Sequence, residues 1–472
     1  MNFKKKYIGD RDFYRMLFTL VLPLIIQQGI TNFVSLLDNL MVGGLGTLPM
    51  SAVSIVNQLI FVFNLTIFGG LSGMSIFSTQ FYGVRDWEGM RQTFRLKLIF
   101  SLSAGIAAIV IFLIWGDALT MLFLRGETNS PEEIALTISE AKAYMIVALA
   151  GLIPFALVQV YAGTMREMGK TVIPMNAGLI AILVNLVFNY LLIYGKFGFP
   201  RLGVTGAAAA TVLSRFVEAA VVITACHRKK DTFRFIEGVY RSMKIDASLA
   251  GRIAVTGAPL LLNEILWSLG MTFINQNYSL RGITVIAASN ISATVWNLFC
   301  VIMFAMGSAV SILVGQKLGA GDREGAIDTD NKLIFFTFAS HLVIGLLLIA
   351  ASPFIPMLYN VEPEVRELAT KFLIISGAAA PIHAFIHVVY FTIRSGGKTV
   401  ITFIFDSVYL WLFPAAISFI LCRFTAVPII WIYFCVQFID IVKIAVGVLL
   451  LRSGFWANNL IGEAEKETET EK

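Results

Sequence analysis

The chain has 472 residues, of which 57% are apolar, 12% aromatic and only 14% charged, with a net charge of +6. Soluble domains carry about 25% charged residues, so at a mean hydropathy of +0.79 a water-soluble core is excluded and an all-α polytopic membrane protein is expected. Cys226, Cys300, Cys422 and Cys435 form no C-x-x-C pair, which argues against a disulfide frame or a thiolate metal site.

The basic start, Met1 to Lys6, imitates a signal peptide, but the apolar run behind it is too long and lacks an A-x-A site. It reads as a retained first span. Runs of about 20 apolar residues cross a bilayer, and they fall near 16–42, 51–81, 96–116, 141–163, 172–194, 204–226, 253–279, 285–314, 333–352, 369–392, 400–422 and 428–451. In lipid such long runs satisfy their backbones only as helices, so twelve transmembrane helices are expected. Lys and Arg crowd the N-terminus and the even-to-odd connections, including Arg85, Arg91, Arg95, Lys97, Arg166, Lys170, Arg394 and Lys398. Two opposite connections are acidic, with Glu127, Glu132 and Glu133 in one and Glu362, Glu364 and Glu367 in the other. The positive-inside rule then puts both termini in the cytoplasm. The +6 charge is a topology signal, and no nucleic-acid partner is expected.

An internal repeat is visible. Pro23, Gln80, Gly83 and Asp86 recur 236 residues later as Pro259, Gln316, Gly319 and Asp322. Arg166, Gly169, Lys170 and Thr171 recur 228 residues later as Arg394, Gly397, Lys398 and Thr399. Six helices per copy is an even number, so both copies enter from the same side as parallel repeats. The expected organisation is an N-lobe (1–226), a basic cytoplasmic connector (227–252), a C-lobe (253–452) and an acidic cytoplasmic tail (453–472). Two pseudo-symmetric six-helix lobes around a central cavity are a transporter architecture. Ser395-Gly396-Gly397-Lys398-Thr399 looks like the end of a phosphate-binding loop, but its first glycine position is Thr392. It is a basic turn, and no ATPase is implied.

Ionisable residues at membrane depth mark pathways. Asp38 lies toward the outer end of the first span. Asn185 and Asn189 lie one turn apart on the fifth, and Thr211 lies near the outer start of the sixth. One carboxylate, two amides and a hydroxyl at one height suit Na⁺ or H⁺. In the second half Glu264, His383, His387 and Asp406 are candidates for substrate or proton, with Glu264–His383 and Asp406–His387 as the level pairs. Histidine titrates near neutral pH. Asp440 with Lys443, and Arg215 with Glu218, are three apart and read as local structural pairs. Pro23 and Pro259 interrupt the first helix of each half and are candidate hinges.

Two rival readings remain. A lipid-linked precursor flippase would line its cavity with Lys and Arg, whereas only Arg215 and Lys443 read as intramembrane bases. A membrane enzyme would need converging ligands or nucleophiles, and only His383 and His387 are suitably spaced. No enzyme activity and no cofactor are expected.

The Asp38-x-x-Met41-Val42-Gly43 segment, Gln80-Phe81-Tyr82-Gly83, the paired Gly-Lys-Thr turns and Asn185-x-x-x-Asn189, in this order over two lobes, resemble the multidrug and toxic compound extrusion (MATE) transporters. The resemblance covers essentially the whole chain. It implies Na⁺- or H⁺-driven export of amphipathic, often cationic compounds across a bacterial inner membrane. A monomer is expected. Asp38 is similar to the family's first-helix coupling acid and Asn185 to the fifth-helix asparagine of that site. Asn189 falls where many bacterial members carry aspartate. Glu264 is similar to the seventh-helix glutamate of another branch, whose tenth-helix aspartate is absent here, with His383 nearby.

Overall fold

The computed structural model describes residues 6–124, 130–359 and 361–462. The basic start up to Lys5, Glu127 and the acidic end from 463 lie outside that range. The described residues hold the helices α1 (Arg11–Gly43), α2 (Thr47–Val84), α3 (Trp87–Leu124), α4 (Pro131–Leu149), α5 (Leu152–Glu167), α6 (Val172–Tyr194) and α7 (Val204–Arg228). After a short 3₁₀ turn at Arg234–Ile236 come α8 (Ala247–Ser279), α9 (Ile283–Phe299), α10 (Val301–Gly319), α11 (Arg323–Ala351) and α12 (Pro363–Ser395). The last third closes with α13 (Thr399–Phe403), α14 (Ala416–Phe424), α15 (Ile429–Phe438) and α16 (Asp440–Ser453).

Among the described residues, eleven helices are long and apolar enough to cross a membrane, or twelve if α4 and α5 form one span. The fold is all-α and multi-span. Several helices outrun the bilayer: 38 residues in α2 and in α3 make about 57 Å at 1.5 Å per residue, against a core of about 30 Å.

Two expected spans are broken. The run at 141–163 is divided between α4 and α5, which meet at 44°. The run at 285–314 is divided at Cys300 between α9 and α10. Apolarity is continuous across both breaks, so composition alone could not register them. The start of α4 follows from local chemistry: Pro131 occupies the first turn, Ser130 Oγ accepts from the Glu133 N–H, and Glu133 returns a bond to the Ser130 N–H. This capping box satisfies donors that a helix start leaves bare. At the far end of α6, Gly195 takes φ 65°, a left-handed cap that glycine adopts without a Cβ penalty.

The chain divides into two compact units. Among the described residues, one holds those of Leu22–Ser78 and Trp87–Ala250; the other holds those up to Val21, Thr79–Asp86 and those from Gly251. In the first unit α6 and α7 run side by side, and α5 packs on α3 and α7. Here the basic connector is a packed element, with Phe233, Phe235 and Val239 fully buried. Arg95 holds it by donating to the Val239 carbonyl at 2.8 Å. In the second unit α12 is central, touching α9, α10, α11, α15 and α16. The Tyr433 ring stacks on Phe372 at 4.2 Å. The stretch after α16 folds back, burying Trp456 to 1% exposure.

The turns of the repeat share one backbone form. Gly169 and Gly397 have φ 73° and 74°, and each donates to the carbonyl of the preceding arginine at 2.8 Å. Asp86 N–H to Phe81 O and Asp322 N–H to Lys317 O, both 3.0 Å, close α2 and α10 alike.

Candidate functional site

The four candidates from the first half come together within one compact unit. Asp38 is half-buried on α1, about four turns beyond Pro23 by helical counting. Asn189 Nδ2 on α6 donates to Asp38 Oδ1 at 2.7 Å. Asn185, one turn below and 6% exposed, has its amide between Asp38 and Thr211 Oγ1 of α7. With its nitrogen toward the carboxylate it donates to both Asp38 oxygens at 3.0 and 3.1 Å, and its oxygen accepts from Thr211 Oγ1 at 3.3 Å. Tyr194 OH donates to the Met41 carbonyl at 3.0 Å and pins the end of α1 beside this cluster. The sequence reading missed Tyr144 of α4, which is hydrogen-bonded to Asn57 at 3.1 Å and lies within range of the Asp38 charge. A tyrosine in an apolar run is an ordinary amphipathic side chain, and its spacing gives no signal of a site.

The second half assembles differently from the level pairs. Glu264 Oε1 accepts from Tyr390 OH at 3.3 Å, not from His383. His383 Nε2 lies 2.8 Å from Gln437 Oε1 and its Nδ1 3.5 Å from Asp440. Asp406 is bound by Lys443 at 3.1 Å and Asn263 at 3.1 Å, not by His387. Half-buried His387 packs among Phe304 and Phe391, and its buried Nε2 has no hydrogen-bond partner among the described residues. Asp440 and Lys443 thus take partners on other helices instead of each other. The Arg215–Glu218 pair forms as expected, at 3.0 Å. Pro23 and Pro259 sit inside α1 and α8, which continue through them.

More bases are buried on helices than the sequence reading counted. Lys97 on α3 is 1% exposed and pairs with Glu167 of α5 at 2.5 Å. Arg95 and Arg394 are each 6% exposed. Asp330 of α11 is buried and accepts from Thr392 at 2.6 Å. All four had been placed in connections or passed over, because they lie near the apolar runs' ends. Among the described residues no group of three or more His, Cys, Asp or Glu side chains converges as for a metal.

The MatE family model matches residues 23–191 and 259–422, which is most of the chain. Its two stretches begin at Pro23 and Pro259, the prolines that the 236-residue repeat aligns. The chain is 22% identical over 455 residues to the probable multidrug resistance protein NorM of Thermotoga maritima, covering 96% of this chain and 95% of that protein. It is 25% identical over 442 residues to the probable multidrug resistance protein YoeA of Bacillus subtilis, covering 93% and 92%. Among solved structures, it resembles a MOP superfamily transporter from Pyrococcus furiosus whose binding pocket is described as of reverse polarity (TM-score 0.84, 20% identity, 95% and 97% covered). An outward-facing multidrug resistance MATE family transporter of the MOP superfamily superposes with a TM-score of 0.83 at 20% identity, covering 94% and 97%. With the family model spanning both halves of an all-α multi-span chain, this protein belongs to the MATE family of membrane transporters.

Proposed function

We propose that this transporter is a secondary antiporter that exports amphipathic, cationic compounds in exchange for Na⁺ or H⁺. The observation that carries this reading is the bonding of Asp38 on a spanning helix by Asn189, with Asn185 and Thr211 alongside. Hard oxygens and one ionisable group suit a small cation. The amide of Asn185 can face either way: its nitrogen meets a bare carboxylate, and its oxygen meets a cation bound there. Binding therefore needs only a rotation of that side chain, not a new ligand.

In this scheme two six-helix lobes, 1–226 and 253–452, joined by 227–252 and followed by the tail from 453, alternate access around a central cavity. Both termini face the cytoplasm of a bacterial cell, and the chain works as a monomer in the inner membrane. Pro23 and Pro259 act as hinges. Glu264, His383 and His387 handle substrate or protons in the second lobe, with Asp406 as the fixed partner of Lys443 beside them. Drug and cation must favour different states, because coupling is reciprocal. Driving a monovalent cation out against 100 mV costs about 2.3 kcal/mol, and a tenfold concentration gradient about 1.4 kcal/mol. One entering cation cancels the electrical part and leaves its own gradient to drive accumulation.

The test is ethidium efflux in proteoliposomes with Na⁺ and pH gradients imposed separately. One gradient is expected to drive transport, and Asp38→Asn is expected to abolish it at unchanged protein abundance. Ion-driven efflux surviving in Asp38→Asn would overturn the assignment.

A further inference from the structure

A single chain of hydrogen bonds runs through the second compact unit from Glu264 to Lys443. Tyr390 OH donates to Glu264 at 3.3 Å, and Asn263 Nδ2 reaches Tyr390 OH at 3.4 Å and Asp406 Oδ2 at 3.1 Å. Lys443 Nζ holds the other Asp406 oxygen at 3.1 Å. Asn263 is fixed in turn by Ser407, whose hydroxyl donates to its side-chain oxygen at 2.7 Å. Four helical segments contribute, and Asp406 rides on a π-helical turn, Ile404–Val408. Such turns are rare and cluster at functional sites. Lys443, at 5% exposure, is walled by the rings of Phe405 and Tyr409 at 4.9 and 5.3 Å. The charged and titratable groups around it include His387 and Arg394 of α12, His341 of α11, and Asp440 one turn earlier on α16, which faces His383.

The repeat shows that this pair is particular to one half. At the 228-residue spacing Lys443 corresponds to Arg215, Asp406 to Gly178, and Val446 to Glu218. In the first half the base is satisfied by Glu218 on its own helix. A side chain at Gly178 there would strike Gln27 Nε2 at 2.7 Å. In the second half Asp440 on the base's own helix turns to His383, and the acid that holds the base is Asp406 on another helix, joined to Asn263 and, through Tyr390, to Glu264. A buried pair wanted only for stability gains little over apolar packing. Moving the acid into a network that ends on a second carboxylate gives the pair another use.

We infer that Lys443 is a tethered cation: it occupies on Asp406 the place of an exchangeable ion and so fixes how many cations the second half takes up. This rests on the antiporter reading above. Lys443 sets stoichiometry by permanent occupancy, leaving Glu264 as the exchangeable carboxylate of the network.

The experiment measures the number of cations moved per ethidium, from the reversal voltage in proteoliposomes holding the full chain. Lys443→Gln is expected to raise that number by one, because Asp406 is released to a mobile cation. Lys443→Gln/Asp406→Asn is expected to keep the wild-type number, and Lys443→Arg likewise. Asp406→Asn alone is expected to lose at least tenfold in efflux, since the lysine is stranded. An unchanged number in a folded Lys443→Gln protein would overturn the inference. If that single variant does not accumulate, the double variant decides: one cation fewer shows that Asp406 was itself exchangeable and refutes the tether. Asp38→Asn in parallel reports on the antiporter reading alone, so the two failures are distinguishable.

Discussion

Gly83 lies against the backbone of Gln316. A Cβ built on Gly83 would stand 2.0 Å from the Gln316 carbonyl oxygen, and one on Gly319 would stand 2.0 Å from the Gln80 carbonyl oxygen. The two copies of one Gln-x-x-Gly motif therefore cross each other reciprocally, glycine on glutamine both ways. Around the crossing, Gln80 Nε2 donates to the Ser395 and Asn458 carbonyls at 3.2 and 3.3 Å, and its oxygen accepts from the Leu460 N–H at 2.9 Å. Asn459 caps it by donating to the Gly319 carbonyl at 3.2 Å.

Backbone cannot yield as a side chain does, so Gly83→Ala and Gly319→Ala must shift a helix. Overpacking of this kind costs about 1–3 kcal/mol, and a lowered Tm in detergent is expected for each. Gly163 on α5 meets nothing within 4 Å, so Gly163→Ala is the control. It is expected to be neutral or stabilising, because alanine is the better helix former by about 1 kcal/mol. Equal behaviour of all three variants would dismiss the crossing as a constraint.

Asn189→Asp places a second carboxylate beside Asp38, where the Asn189 amide now donates at 2.7 Å. The half-saturating concentration of the driving cation should fall about tenfold, equivalent to about 1.4 kcal/mol. Asn189→Ala should move it the other way. Concentration dependence of efflux reads both, and no change in either variant would remove Asn189 from the site.

Pro23 lies just beyond Val21, where α1 passes from one compact unit into the other. Pro23→Ala returns a helix donor and favours the straight helix by up to about 3 kcal/mol. The expected result is unchanged or raised Tm with efflux slowed tenfold or more. Wild-type efflux rates would count against a hinge there.

Lys97 and Glu167 are both buried. Removing one partner leaves an uncompensated charge, so Lys97→Met or Glu167→Leu alone should cost about 3–5 kcal/mol. The double variant Lys97→Met/Glu167→Leu should recover most of that loss. Thermal unfolding of the four proteins tests this, and an additive double variant would show that the charges are not coupled.

The sequence by itself determined the class of fold, nearly all the spans and the doubling of the chain. Hydrocarbon admits few backbone solutions, so runs of apolar residues and turn glycines report directly on helices and their ends. The grouping of Asp38, Asn185, Asn189 and Thr211 was also legible, because a regular helix places residues by counting. Only the tertiary structure decided the partners of the second half: Glu264 with Tyr390, His383 with Gln437 and Asp440, and Asp406 with Lys443. Counting at 3.6 residues per turn loses its phase across the π turns at Ile404–Val408 and Trp411–Ala415. No spacing along one helix tells which face its neighbour presents; that is set by packing, and packing is where the chain's buried charges found their counterparts.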